Sequence, residues 1–267
     1  MATYSTEGIA LLVHKYKGTG RVVSFYTRKR GRVDAVAQGI GKPGSKLAAA
    51  VELFTLSRLM FVEGRDLDRI RQADVIEPHY HLRADMTRLA CASYIAELTV
   101  KSSEPTHPLM GLFEHLAEAY GALCTAEDPE VVLWWYMMRL FASHGVTPEL
   151  SCCCRCGATL GRLTCYLPAE AGLACSICTP PSNQMPLSAE GCSVLQGLAR
   201  MPAIRLDRLS MSPQARVQVR HLLHTHADHQ FGIQTRSRKF LHQMLAASQV
   251  AAEPPVPPTR QDDRSRL

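Results

Sequence analysis

Cysteines and clustered basic side chains are the residues of this sequence whose type and spacing could do chemistry. Cys153-x-x-Cys156 and Cys175-x-x-Cys178 stand 18 residues apart. Zinc takes four soft donors at tetrahedral corners, and each Cys-x-x-Cys turn aims two thiolates at one point. The four cysteines are therefore candidate ligands of a Zn2+ ion, with Gly157 suited to the tight turn after the first pair. Four protein ligands leave no open position for substrate, so the metal is expected to be structural and to supply folding energy to a loop-rich insert. Cys152 and Cys154 crowd the first knuckle without keeping its spacing, and Cys165 reads as a small apolar filler.

The second feature is charge. The chain has 267 residues and a formal net charge of +6. Residues 1–46 hold nine basic residues against Glu7 and Asp34, whereas residues 81–150 hold four basic against nine acidic. Residues 182–250 are basic again, eight against three. Arg28, Lys29, Arg30 and Arg32 form a tight strip, and Lys15, Lys17, Arg21, Lys42 and Lys46 are expected to extend it. Such a field attracts phosphates, and Tyr16, Phe25 and Tyr26 offer aromatic surface beside it, with Phe25 the one expected to fill a core. Four phosphate contacts on a single strand would give a log–log salt slope of roughly −3.

Other chemistry is not signalled. There is no Gly-x-Ser-x-Gly, no Walker loop and no dinucleotide fingerprint, and in Gly39-Ile40-Gly41-Lys42-Pro43-Gly44 the lysine comes too early and Pro43 lacks an N–H. His221, His224, His226 and His229 invite a second metal reading, and at about 100° per residue His221, His224 and His229 share one face. No carboxylate completes a His-Glu-x-x-His pattern, however, and the group reads as an ordinary surface histidine face.

The elements that must position these residues change character near Pro78. Five candidate strands precede it: Ile9–His14, Arg21–Thr27, Arg32–Ala37, Val51–Val62 and Leu67–Ile76. Five short strands with glycine turns fit a small closed barrel, with an OB-fold the economical choice and an SH3-like barrel its rival. Helical periodicity follows in Leu82–Leu98, Leu109–Leu123, a helix opened by Asp128-Pro129-Glu130, Ser188–Leu198, Pro213–His226 and Thr235–Leu245. Trp134 and Trp135 should mark the centre of the second core. The expected fold is thus α+β and multidomain. Residues 1–80 form a five-stranded OB barrel, and 81–248 an all-helical domain with a zinc module inserted at about 151–181. A disordered proline-rich tail occupies 249–267. No apolar run reaches the roughly 18–20 residues of a membrane span, and the first residues lack the basic-then-apolar order of a secretory signal. The thiols are therefore expected to be reduced, in a cytoplasmic protein.

Together these pieces resemble the bacterial RecO family of DNA repair proteins and recombination mediators. The resemblance rests on Phe25-Tyr26-Thr27-Arg28 with Gly31-Arg32, Ala37-Gln38-Gly39 leading to Lys42 and Lys46, and Ala73-Asp74-Val75-Ile76-Glu77-Pro78. Leu82-Arg83-Ala84-Asp85, Ala92-Ser93-Tyr94-Ile95-Ala96-Glu97-Leu98, the Cys153–Gly157 knuckle and Arg236-Ser237-Arg238-Lys239-Phe240-Leu241 complete it. Ala171-Gly172 departs from the glycine pair common before the second knuckle. The resemblance implies a non-enzymatic, nucleoid-associated mediator that binds single- and double-stranded DNA and anneals complementary strands. It also implies contact with the tail of single-stranded DNA-binding protein (SSB) and, with RecR, help in loading RecA onto coated strands. Arg83, Arg88 and Arg139 are the scarce cations of the helical part that could receive that acidic tail. The alternatives are a zinc-containing DNA-binding regulator, which would need a basic recognition helix, and a metal-dependent nuclease, which would need an open metal site.

Overall fold

The computed structural model describes residues 2–16, 18, 20–40, 45–180 and 185–252. The amino-terminal part is a closed barrel of strand order β1-β2-β3-β5-β4, formed by β1 (Thr3–Lys15), β2 (Arg21–Thr27), β3 (Gly31–Ala37), β4 (Leu56–Val62) and β5 (Asp68–Glu77). β1 closes it. Its first half pairs with β4 and its second half with β2, with a bulge between Ala10 and Leu12 where the strand bends. Inward residues from every strand, among them Ala10, Val23, Phe25, Val33, Leu59, Phe61 and Ile70, make the barrel core. Phe25 and Phe61 meet edge to face at 5.9 Å.

The apolar run Ile9-Ala10-Leu11-Leu12 has a second cause. Ala10 faces the barrel, whereas Ile9, Leu11 and Tyr26 belong to the core of the helical domain. The backbone N–H of Leu109 donates to the Tyr26 hydroxyl at 3.0 Å. Phe25 and Tyr26 are thus both buried and offer no surface to a ligand; of the three aromatics noted above, Tyr16 alone is exposed.

One predicted strand is only half a strand. Val51–Val62 reads as continuous, but α1 (Lys46–Ala50) precedes it and pairing begins at Leu56. Phe54 has φ +70° and leaves the barrel to pack on Tyr120 at 5.2 Å, while His79 Nδ1 lies 2.9 Å from its carbonyl. Tertiary burial of one phenyl ring overrides the local strand signal.

The helical part contains α2 (His81–Ala84), α3 (Met86–Ser102), α4 (Leu112–Thr125) and α5 (Pro129–Ser143), then α6 (Ala189–Arg200), α7 (Pro213–Phe231) and α8 (Ser237–Ala252). The predicted Leu82–Leu98 helix is two helices, because Asp85 adopts an extended conformation and its carboxylate caps the Arg88 N–H at 2.8 Å. α5 starts as its sequence indicates, on the Asp128 cap with Pro129 in the first turn, and it lies at the centre of the domain with both tryptophans buried. A small sheet of order β7-β6-β8, from β6 (Leu163–Leu167), β7 (Gly172–Cys175) and β8 (Pro186–Ser188), carries the cysteine segment. α8 runs to Ala252, beyond the expected start of the tail at residue 249; residues 253–267 lie outside the described residues.

Candidate nucleic-acid interface and metal centre

Among the described residues the basic side chains of the predicted strip fall into two groups. β2 and β3 are a hairpin with Thr27 opposite Gly31 at its turn and Arg21 opposite Ala37 at its open end. Six residues of strand separate the two groups, about 20 Å at roughly 3.3 Å per residue. Arg28, Lys29, Arg30 and Arg32 gather at the turn; Lys15 and Arg21 gather at the other end. Lys17 and Lys42 lie outside the described residues, and Lys46 is placed only as the first residue of α1.

The turn is docked and neutralised. Arg28 pairs with Glu7 at 3.0 Å and with Glu114 of α4, and its guanidinium lies 4.4 Å from the centre of the Phe113 ring. Arg30 pairs with Glu63 at 2.5 Å over the Tyr4 ring. Arg32 donates to Asp34 at 2.8 Å and to the Val100 carbonyl at 3.1 Å, while its own carbonyl accepts the Thr106 N–H. Three of the four cations thus hold the barrel together or fasten it to the helices. Lys29 is exposed and makes no ion pair among the described residues.

The open end differs. Lys15 and Arg21 are directly opposite each other in the β1–β2 ladder, and neither meets a carboxylate among the described residues. Like charges in cross-strand register repel. Tyr16, 37% exposed, follows Lys15 at the hairpin tip. This end can accept phosphates without surrendering an internal partner.

In the cysteine segment the spacing resolves into a cluster. The sulfurs of Cys153, Cys156, Cys175 and Cys178 all lie within 4.8 Å of one another, and Cys156 Sγ and Cys175 Sγ are 3.9 Å apart. Zn–S bonds of about 2.3 Å at tetrahedral angles place sulfurs about 3.8 Å apart, so the donor set fits such an ion. Each knuckle is a turn: the Gly157 N–H donates to the Cys153 carbonyl at 2.9 Å and the Cys178 N–H to the Cys175 carbonyl at 3.1 Å. The Cys175 N–H also donates to Cys153 Sγ at 3.4 Å. That bond leads the backbone N–H groups that lower the Cys153 thiol to about 6, whereas the Cys156 sulfur foremost pushes Cys178 up to about 12. Four sulfurs this close ionise together only around a cation. Cys152, Cys154 and Cys165 stay out of the cluster; Cys154 Sγ donates to Glu170 at 3.5 Å, and Arg155 clamps the same carboxylate. The module's own small core gathers around Leu167 and Ala174, while Tyr166 and Leu173 are buried in the core of the helical domain.

The histidine face expected on the surface is half buried. His221 and His229 are exposed, but His224 and His226 are buried. Tyr94 Oη lies 3.0 Å from His224 Nδ1; His226 lies between Tyr166 Oη at 2.5 Å and the Val146 carbonyl at 2.7 Å. Burial lowers His224 to about 3 and His226 to about 4, so both are neutral at pH 7. Their hydroxyl partners lie 130 and 60 residues away in sequence, beyond any local pattern.

A closed OB barrel fastened to an all-α domain with an inserted thiol-knuckle module defines the class: a multidomain OB-fold protein. Two family models narrow it. "Recombination protein O N terminal" matches residues 1–79 and "Recombination protein O C terminal" matches residues 83–239. Similar curated proteins carry the name DNA repair protein RecO. The protein from Halalkalibacterium halodurans is 27% identical over 242 residues, covering 90% of this chain and 95% of that relative. Those from Bacillus pumilus and Bacillus mycoides are 28% and 29% identical over 240 and 239 residues, covering 93% and 96% of those relatives and 90% and 89% of this chain. The chain belongs to the RecO family of DNA repair and recombination proteins. No described helix is long and apolar enough to cross a membrane.

Proposed function

We propose that this protein is a non-enzymatic recombination mediator that binds single- and double-stranded DNA through residues 1–80 and anneals complementary strands. With RecR it helps load RecA onto strands coated by SSB, whose acidic tail it contacts through residues 81–248. It works in the cytoplasm, on the nucleoid. The observation that carries the reading is the Lys15–Arg21 pair, a like-charged cross-strand pair beside the exposed Tyr16, on the barrel of a family named for DNA repair and recombination. A polyanion relieves that repulsion, and a stacking ring beside it tolerates any base. Lys15, Lys17, Arg21, Lys29, Lys42 and Lys46 form the DNA-contacting set. Arg28, Arg30 and Arg32 belong to it only where a phosphate exchanges with Glu7, Glu63, Glu114 or Asp34.

Annealing brings two polyanions together, and screening their charge requires no bond to be broken. The test is annealing of complementary strands, bare and SSB-coated, by the wild-type chain and by Lys15→Glu/Arg21→Glu. The variant should lose annealing and at least roughly fifteen-fold in single-strand affinity at 0.15 M salt, from about 0.7 of a log–log slope unit per phosphate contact. Its salt slope should become shallower by about 1.4, with an unchanged thermal midpoint. Unchanged annealing would remove the hairpin tip from the interface. A peptide copy of the SSB tail should inhibit only the reaction on coated strands.

Cys153, Cys156, Cys175 and Cys178 would hold Zn2+ as a structural ion that fixes the first knuckle against the second, which opens at the end of β7. Native mass spectrometry should find one zinc per chain, lost in Cys175→Ser/Cys178→Ser; a metal-free wild-type chain with an intact fold would refute the assignment.

A further inference from the structure

α8 packs on α3, and between its opposite side and α7 lies a cleft of about 930 Å³. A cavity of that size admits a nucleotide. Its chemistry is one-sided. Arg220, His221 and His224 enter it from α7, and Arg238, Lys239 and His242 from α8. The one carboxylate in the lining, Asp228, is already bound by Arg238 at 2.6 Å.

The donors are held in place from behind. Glu130, 1% exposed, accepts from Arg220 Nε at 2.5 Å and from Nη2 at 2.9 Å, fixing the guanidinium against α5. Glu97 accepts the N–H groups of Arg236 and Ser237 at 3.1 and 2.8 Å and so anchors the start of α8. Tyr94 holds His224 Nδ1, leaving Nε2 of this buried ring without a hydrogen-bond partner. Burial and then Arg238 and Arg220 hold His242 below its ordinary value. Lys239 is exposed at the rim and forms no ion pair among the described residues.

We infer that the α7–α8 cleft is a phosphate-binding site that takes a nucleotide unit. Lys239, which forms no ion pair among the described residues, supplies the charge-assisted bond to phosphate, and the guanidinium N–H groups of Arg220 and Arg238 that Glu130 and Asp228 leave free add donors. Two sources share this chemistry, a nucleotide within a single strand and a free nucleotide. The cleft is separate from the hairpin tip, and the inference stands apart from the barrel reading.

The test follows the side-chain ¹H–¹⁵N resonances of His221 and His242 in the full chain, titrated with a dT12 oligonucleotide, with ATP and with a poly-glutamate peptide. Movement with dT12 identifies the strand as the source, and movement with ATP at lower concentration identifies the free nucleotide; either supports the site. Lys239→Glu should weaken the effective probe roughly fivefold or more while Lys239→Arg preserves it. In Lys15→Glu/Arg21→Glu the ATP response should persist although annealing is lost, which separates this site from the barrel. Resonances that stay still with both phosphate probes, that move only with the peptide, or that respond equally in Lys239→Glu overturn the inference.

Discussion

The two ends of the β2–β3 hairpin carry the same kind of residue and put it to opposite use. At the turn, arginines meet carboxylates from the barrel and from α4, and the backbone of Gly31 and Arg32 lies against residues 105–108 of the helical domain. At the open end, Lys15 and Arg21 face each other with no carboxylate to separate them. Local sequence charge therefore does not identify a binding surface. What distinguishes the ends is whether acidic residues distant in sequence are folded onto them. Glu114 reaches Arg28 across 86 residues, and nothing comparable reaches Arg21 among the described residues. Arginine suits the docked end because its planar fork holds two acceptors at once, as Arg32 does with Asp34 and the Val100 carbonyl. At the open end the mobile, strongly hydrated ammonium of Lys15 suits a partner of variable geometry.

The most forceful way to break this contrast is to pry the turn from the helices. Gly31 has φ +63°, and a Cβ there would lie 2.5 Å from the His107 carbonyl oxygen and 2.8 Å from Pro108 N. Gly31→Ala should cost roughly 2–4 kcal/mol, the sum of a left-handed alanine and a backbone that must move. In a chain of this size that lowers the thermal midpoint on the order of 5–10 °C. Gly39, just past the other end of β3, is the control: its φ is +73° and a Cβ there meets nothing within 4 Å among the described residues. Gly39→Ala should cost only the conformational part, about 1–2 kcal/mol. Equal losses in calorimetry would mean that the turn is not pinned by the helical domain.

How much of this was legible in the sequence follows from the same distinction between local and distant causes. The strands at Arg21–Thr27 and Arg32–Ala37 were readable because alternation and glycine turns are written within a few residues, and so were the Cys-x-x-Cys knuckles and the Asp128-Pro129 helix start. The strand assigned to Val51–Thr55 was not, because Phe54 is positioned by Tyr120, a residue of another domain. Periodicity placed His221 and His224 on one face of α7 but could not show that Tyr94 and α8 cover one of them. The pairing of the turn arginines was illegible for the same reason: nine cations in 46 residues are visible in sequence, but Glu63 and Glu114 lie outside that window.

The smallest predicted effect is the most discriminating, because it converts one end of the hairpin toward the other. Arg30 is held by Glu63 at 2.5 Å, and both side chains are more than a third exposed. An exposed pair of this kind contributes about 0–1 kcal/mol to stability, so Glu63→Gln should leave the thermal midpoint nearly unchanged. It should, however, release Arg30 at the surface, where its guanidinium already stacks on Tyr4 and could receive a phosphate. One added contact makes the salt slope steeper by about 0.7 and raises single-strand affinity roughly fourfold at 0.15 M salt. The same gain should survive in Lys15→Glu/Arg21→Glu, since the two ends lie too far apart to share a phosphate. If Glu63→Gln leaves the slope unchanged while the midpoint holds, carboxylate pairing is not what silences the turn. The block must then be steric, from the docked helices, and Gly31→Ala would become the variant that uncovers it.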